Sequence, residues 1–248
     1  MGNYIKAELY RNLHRSYIWI YTGILSVLAL VMNILFKIYS TSNITLTSLL
    51  GMTIVMISVP LFLEFLIVDM TTAEEQKNQT IRNVVTFGIS RYKLIFSKLI
   101  TSIILSFVSF LIIIFIFYGS GAILLGIGTG FLQTLSTLSI RILTALPLWI
   151  AGISIGIFLA VIINNSNAFG FAYIGIFMLP PIIIAILEQF VSNKFKNVYN
   201  ILITTQLANI SKPTVSTHDL VYGAVIGVVY IIVFTLLTMV YFIRKEIK

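Results

Sequence analysis

Residues 94–118 read LIFSKLITSIILSFVSFLIIIFIFY, twenty-five positions with Lys98 as the one charge. Crossing the hydrocarbon core of a bilayer takes about 20 consecutive apolar residues in a helix. This stretch meets that length, and its end, LIIIFIFY, shows none of the apolar–polar alternation of a membrane β-barrel strand. A lipid-facing segment has no water for its backbone groups, so helix is the assignment. Five more stretches qualify or nearly do, at about 18–36, 48–68, 142–163, 168–187 and 220–243. The expectation is an all-α integral membrane protein with six transmembrane helices in one membrane domain spanning 1–248.

Composition points the same way. The 248-residue chain is 58% hydrophobic and 10% charged, against about 45–50% and about 25% in soluble domains. No cysteine is present, which removes disulfides and thiolate metal sites from consideration. The net charge of +8 would suggest nucleic acid on a soluble chain; here it fits basic loops facing anionic lipid, and no nucleic-acid partner is expected. With both termini inside, eleven of the sixteen Lys and Arg fall on the cytoplasmic side, so the bias predicts N-in, C-in and an even number of spans. Residues 1–16 are basic and precede an apolar run, like a signal peptide. That run continues to about residue 36 without an A-x-A-like site, which predicts a retained helix. Within NYIKAELYRNLHRS, residues 3–16, Ile5, Leu9 and Leu13 recur every four residues, the pattern of an amphipathic helix lying in the interface.

Residues 70–93 read as the longest cytoplasmic loop. Ile81, Val84, Val85 and Phe87 roughly follow helical spacing, Gly88 supplies a stop, and Ser90 can cap a new helix from Arg91. The spacing therefore predicts a short cytoplasmic helix between the second and third spans. A solvated interfacial loop with snorkelling Arg and Lys is the plainer reading of the same residues.

Glu75, Thr80, Ile81, Arg82, Asn83, Thr86, Gly88, Ser90 and Arg91, followed by Lys98 in the foot of the next span, resemble the signature of type 2 ABC exporter permeases. The six-span layout and the N-terminal interfacial helix fit the resemblance along nearly the whole chain. It implies that 74–91 contains a coupling helix touching a nucleotide-binding subunit, with Glu75, Thr80, Arg82, Gly88 and Arg91 carrying that contact. Residues 1–16 become an elbow helix. It also implies a fifth span that breaks near its outer end into short re-entrant helices. Pro180–Pro181 would make that break, since each proline removes a backbone donor and clashes with the preceding turn, and 182–190 would follow it.

No G-x-x-x-x-G-K-[ST] loop occurs, and the glycine-rich 119–130, read as an outer connection, has no lysine to grip a phosphate. The expectation is that this chain holds no cofactor and that a separate ATPase binds ATP and Mg. The resemblance further implies two ATPase subunits and a second permease, identical or homologous. Gly152/Gly156 and Gly223/Gly227 are spaced for close helix approach, within the chain rather than at a dimer seam. Arg141 is expected to open the fourth span at the outer interface. His14 and His218 lie on opposite sides and assemble no metal site or triad.

Glu64 is the one carboxylate inside a predicted span. It either snorkels to the cytoplasmic interface or faces inward as an intramembrane carboxylate paired with a basic residue. An intramembrane protease with E-E-x-x-x-R would need Arg where Gln79 stands. A secondary transporter or channel would need polar residues at mid-membrane in several spans. The favoured function is the permease of an ATP-driven exporter in a bacterial cytoplasmic membrane. Its apolar walls suit an amphipathic or hydrophobic cargo. Short Ile-, Asn- and Lys-rich permeases of this kind resemble lantibiotic-immunity and bacitracin-type exporters, which implies a peptide-antibiotic cargo. The ATP-independent transporter, and an ABC flippase or exporter of lipid or drug, are the alternatives.

Overall fold

The computed structural model describes residues 2–40, 44–78, 90–163, 165–192 and 194–244, and every regular element among them is helical. A twelve-residue helix α1 (Gly2–Leu13) turns into α2 (Ser16–Tyr39). The second apolar stretch forms α3 (Leu46–Val55) and α4 (Val59–Val68), and α4 continues through one π-helical turn, Asp69–Ala73, into α5 (Glu74–Lys77). Then come α6 (Arg91–Leu125), α7 (Phe131–Ile162) and α8 (Ser166–Phe190). Two short helices, α9 (Phe195–Tyr199) and α10 (Ile203–Ile210), lead to α11 (Thr217–Arg244). Among the described residues, α2, α6, α7, α8 and α11 are each long and apolar enough to cross a membrane, and the bent pair Leu46–Val55 and Val59–Lys77, taken as one span, would be a sixth.

Local chemistry sets several boundaries. Ser90 takes the N-cap position of α6 in extended conformation. At the start of α8 the Asn165 side chain accepts from the Asn167 amide at 3.0 Å, closing a donor the first turn leaves free. Gly126 and Gly130 have φ of +75° and +71°, a region costly for residues with a Cβ. The connection is thus confined to 126–130, and Gly119 and Gly121 belong to α6 rather than to a loop. Gly121 is needed there for packing: a Cβ on it would stand 2.6 Å from Leu49 Cδ1 of α3.

The principal break falls in the second span, not the fifth. α3 and α4 meet at 72° across residues 56–58. Pro60, in the first turn of α4, cannot continue the preceding helix without losing a donor and striking the carbonyl of residue 56. Distant aromatics satisfy carbonyls around the break: Trp149 Nε1 donates to the Ile57 carbonyl at 3.0 Å, and the Tyr173 hydroxyl to that of Leu61 at 2.9 Å. Pro180 and Pro181 lie inside a continuous α8. The helix resumes past them because the two missing donors strip only the Ile176 and Phe177 carbonyls, and every following residue has its own N–H. The expected re-entrant segment 182–190 is therefore the last part of that helix, and the chain reverses through α9 and α10 instead.

α7 is the core of the bundle. Ala145, Leu148, Ala151, Ile153, Ile155, Ile157, Ala160 and Val161 are buried along it, packed by α4, α8, α10 and α11. The glycines make this approach. A Cβ on Gly152 would fall 2.4 Å from Leu61 Cδ1, one on Gly156 2.9 Å from the Tyr173 ring, and one on Gly227 2.6 Å from the Pro147 carbonyl carbon. Arg141 lies in the third turn of α7, which starts ten residues earlier than expected, at Phe131. Large apolar side chains stay exposed along α2, α8 and α11, among them Ile24, Val27, Ile182, Ile183, Val229 and Ile232.

Candidate functional site

Leu9 and Leu13 of α1 pack against Ile18, Ile67, Met70 and Leu105, as the i, i+4 spacing requires. The buried side of the helix, however, centres on Glu8 and Asn12. Glu8 meets Lys98 of α6 and Glu75 of α5 in one charge cluster. The fully buried Lys98 Nζ donates to Glu8 Oε2 at 2.8 Å and to Glu75 Oε2 at 2.6 Å. Arg11 reaches both carboxylates as well, Glu8 Oε2 at 2.8 Å and Glu75 Oε1. Tyr4 donates its hydroxyl to Glu8 Oε1 at 2.8 Å, and Asn12 Nδ2 donates to the Glu8 carbonyl at 2.9 Å.

Two carboxylates thus face two cations, so the buried charge is balanced. Burial alone would push the Glu8 carboxyl up, but the Lys98 charge and hydrogen bond, with Arg11 and Tyr4 behind them, hold it below its ordinary value. Burial and the neighbouring Glu8 charge raise the Tyr4 hydroxyl. On the rim, Arg15 pairs with Glu74 at 2.8 Å and reaches the Met70 carbonyl. Deeper, Thr71 and Ser102 share a 2.8 Å hydrogen bond between α4's extension and α6.

The predicted coupling residues separate into two groups. Thr80, Arg82 and Gly88 lie outside the described residues, as does most of the expected coupling helix. Glu75 is not on a loop: the span-two helix runs on to Lys77, and Glu75 is 3% exposed inside the cluster. Its burial follows from its two cationic partners, which come from α1 and α6 and lie far away in sequence. Arg91 stands at the first position of α6 and donates to the Phe242 and Ile243 carbonyls at 2.9 and 2.8 Å, with its guanidinium over the Phe242 ring. It fastens the foot of α6 to the last turn of α11. The arms flanking 79–89 are therefore tied together by Glu75 and Lys98 and strapped to α1 and α11.

Glu64 faces inward, as one of the two expectations has it, but without the expected basic partner among the described residues. It is buried, its Oε2 has no hydrogen-bond partner, and among the described residues it makes no salt bridge. At the opposite end of the bundle, Arg141 is buried too. It donates to the carbonyls of Ile210, Lys212 and Pro213 at 2.7–3.0 Å, capping α10. Sequence reasoning missed Glu8 and this use of Arg141. The clue for Glu8 was a lone acid in a helix that also carries Lys6 and Arg11.

These features define a polytopic, all-helical membrane protein whose N-terminal helix is locked to the feet of its second and third spans. Residues 4–181 match the family described as ABC-2 family transporter protein, and the chain belongs to that family. It is a membrane permease subunit of an ABC transporter, a transport subunit rather than a catalytic one, and the family implies association with an ABC ATPase subunit. No curated protein matches the chain.

Proposed function

We propose that the chain is the permease of an ATP-driven exporter that moves amphipathic peptides, peptide antibiotics among them, out of the membrane or cell. Segment 79–89, with Thr80, Arg82 and Gly88, is the surface that meets the ATPase. The Glu8–Arg11–Glu75–Lys98 cluster is the observation that carries this reading, because it turns any push on 79–89 into a joint movement of α1, α5 and α6. Glu75 and Arg91 then act behind the contact as positioning residues. Two copies of the ATPase hold the ATP and Mg, and a second permease, identical or homologous, completes the path. The bacterial cytoplasmic membrane is the site, with both termini inside.

The uncharged apolar faces of α2, α8 and α11 support a cargo that partitions into lipid. The test has two arms. Arg82→Glu should insert normally yet lose co-purification with the ATPase and lose transport; unchanged co-purification and transport would refute the coupling surface. In proteoliposomes holding the complete complex, a cationic antimicrobial peptide should stimulate ATP turnover. Stimulation by phospholipid or a small hydrophobic drug instead would replace peptide as the cargo.

A further inference from the structure

Glu64 occupies a notch that the bundle has made for it. Gly152 of α7 leaves the space: a Cβ there would be 3.0 Å from Glu64 Oε2 and 3.1 Å from the Tyr173 hydroxyl. Neither nearby phenol serves the carboxyl. Tyr173 of α8 gives its proton to the Leu61 carbonyl at 2.9 Å, and Tyr21 of α2 points its hydroxyl at that of Leu63. On α6, Lys98 is committed to Glu8 and Glu75, and in the π turn Asp69 accepts from Ser166 at 2.6 Å. α7 brings Gly152 against Glu64. A carboxylate in this position would be a buried anion with no cation beside it among the described residues, and such groups take up a proton instead.

The notch also adjoins the hinge. Glu64 sits on α4 one turn beyond Pro60, and the Tyr173 that covers it is the residue holding the Leu61 carbonyl beside the break. Straightening or opening the α3–α4 bend would part α4 from α7 and α8 and let water reach the carboxyl.

We propose that Glu64 is a proton-binding site inside the bundle. Its carboxyl is a neutral acid while α4 is packed on α7 and α8, and it passes its proton to water, leaving a carboxylate, when that packing opens. Each cycle of the hinge then takes up and releases one proton.

The test uses the full chain in lipid nanodiscs. The infrared difference spectrum of wild type minus Glu64→Gln at neutral pH should contain the C=O stretch of a protonated carboxyl; carboxylate stretches in its place would overturn the proposal. A second measurement reads the link to packing. The native form binds one more proton than the unfolded form, so stability falls as pH rises. Above about pH 4.5, where the unfolded carboxyl ionises, and until the native carboxyl also loses its proton, the wild-type unfolding equilibrium should shift by up to about tenfold per pH unit more than that of Glu64→Gln. Glu64→Met, similar in volume and unable to ionise, should match Glu64→Gln. Parallel pH profiles for wild type and both variants would overturn the link between protonation and closure.

Discussion

Replacing Lys98 by Met tests the charge cluster at its centre. The ammonium is fully buried and bonds two carboxylates, at 2.8 and 2.6 Å. Methionine fills a similar volume and suits an apolar helix, so insertion of α6 should be unaffected. What changes is the balance: Glu8 and Glu75, each 3% exposed, lose the buried ammonium they share and retain the Arg11 guanidinium, whose side chain is 38% exposed. Removing one partner of a buried ion pair costs about 3–5 kcal/mol, chiefly through the charge left behind. Arg11 still compensates in part, which places the expected loss near the lower end, about 3 kcal/mol, or roughly a hundredfold in the unfolding equilibrium. Unfolding of the purified chain in mixed micelles, titrated with a denaturing detergent, reads this directly. Adding Glu8→Gln and Glu75→Gln to Lys98→Met should recover most of the loss, a non-additivity expected only within one network. If Lys98→Met unfolds like wild type, or if the triple variant is no more stable than the single, the cluster does not hold α1, α5 and α6 together.

Three further outcomes are expected. Gly227→Ala should destabilise by about 1–3 kcal/mol in the same titration, because its Cβ meets backbone atoms of Pro147 and Leu148 at 2.6 and 2.7 Å; Gly223→Ala, whose nearest neighbours are at 3.4 Å, should change little. Arg141→Met should cost about 2 kcal/mol by stripping charged donors from three carbonyls, and hydrogen exchange should quicken in 203–213 while the Lys98 end is unchanged. The Glu8 carboxyl is held low by Lys98, so its stabilising contribution is present at pH above its ordinary value of 4.5 and is lost as pH falls through the depressed one. Acid should therefore loosen α1, seen as faster exchange in 2–13, and Glu8→Gln should remove that part of the pH dependence.

The spans were legible because apolar length is a property of contiguous residues; α2, α6 and α11 each contain the stretch that announced them. The hinge was not. Pro60 stands in the apolar run SVPLFLEF and looks unremarkable beside Pro180–Pro181. What lets the chain break at Pro60 is the pair of donors from Trp149 and Tyr173, some ninety and more residues away. The cluster was half legible. Glu75 and Lys98 drew notice as a loop acid and the foot of a span, but nothing local says that they converge with each other or with Arg11. Glu8 is four residues from Tyr4 and three from Arg11 on its own helix, and its decisive partner is ninety positions on. The same distance in sequence hid the capping of α10 by Arg141.

One helix connects the cluster to the hinge. α6 is 35 residues long, about 52 Å at 1.5 Å per residue, well beyond the hydrocarbon thickness. Its foot carries Arg91 and Lys98; its far end carries the Gly126 turn, whose carbonyl accepts the Leu46 amide at 2.9 Å, the first residue of α3. Midway, Ser109 accepts from Thr22 of α2 at 3.0 Å, so α2 and α6 move as a pair. A rigid rod tilted by about 5° at its foot would carry its other end by about 4–5 Å over that length. On the proposed reading, force applied at 79–89 enters α6 through Lys98, leaves it at Gly126, and reaches α3 on one side of the 72° bend while α5 carries it to α4 on the other. A helix already broken at Pro60 can absorb such a difference without breaking further hydrogen bonds of its own backbone ladder. Glu64 and Tyr173 sit where that motion would first separate α4 from its neighbours.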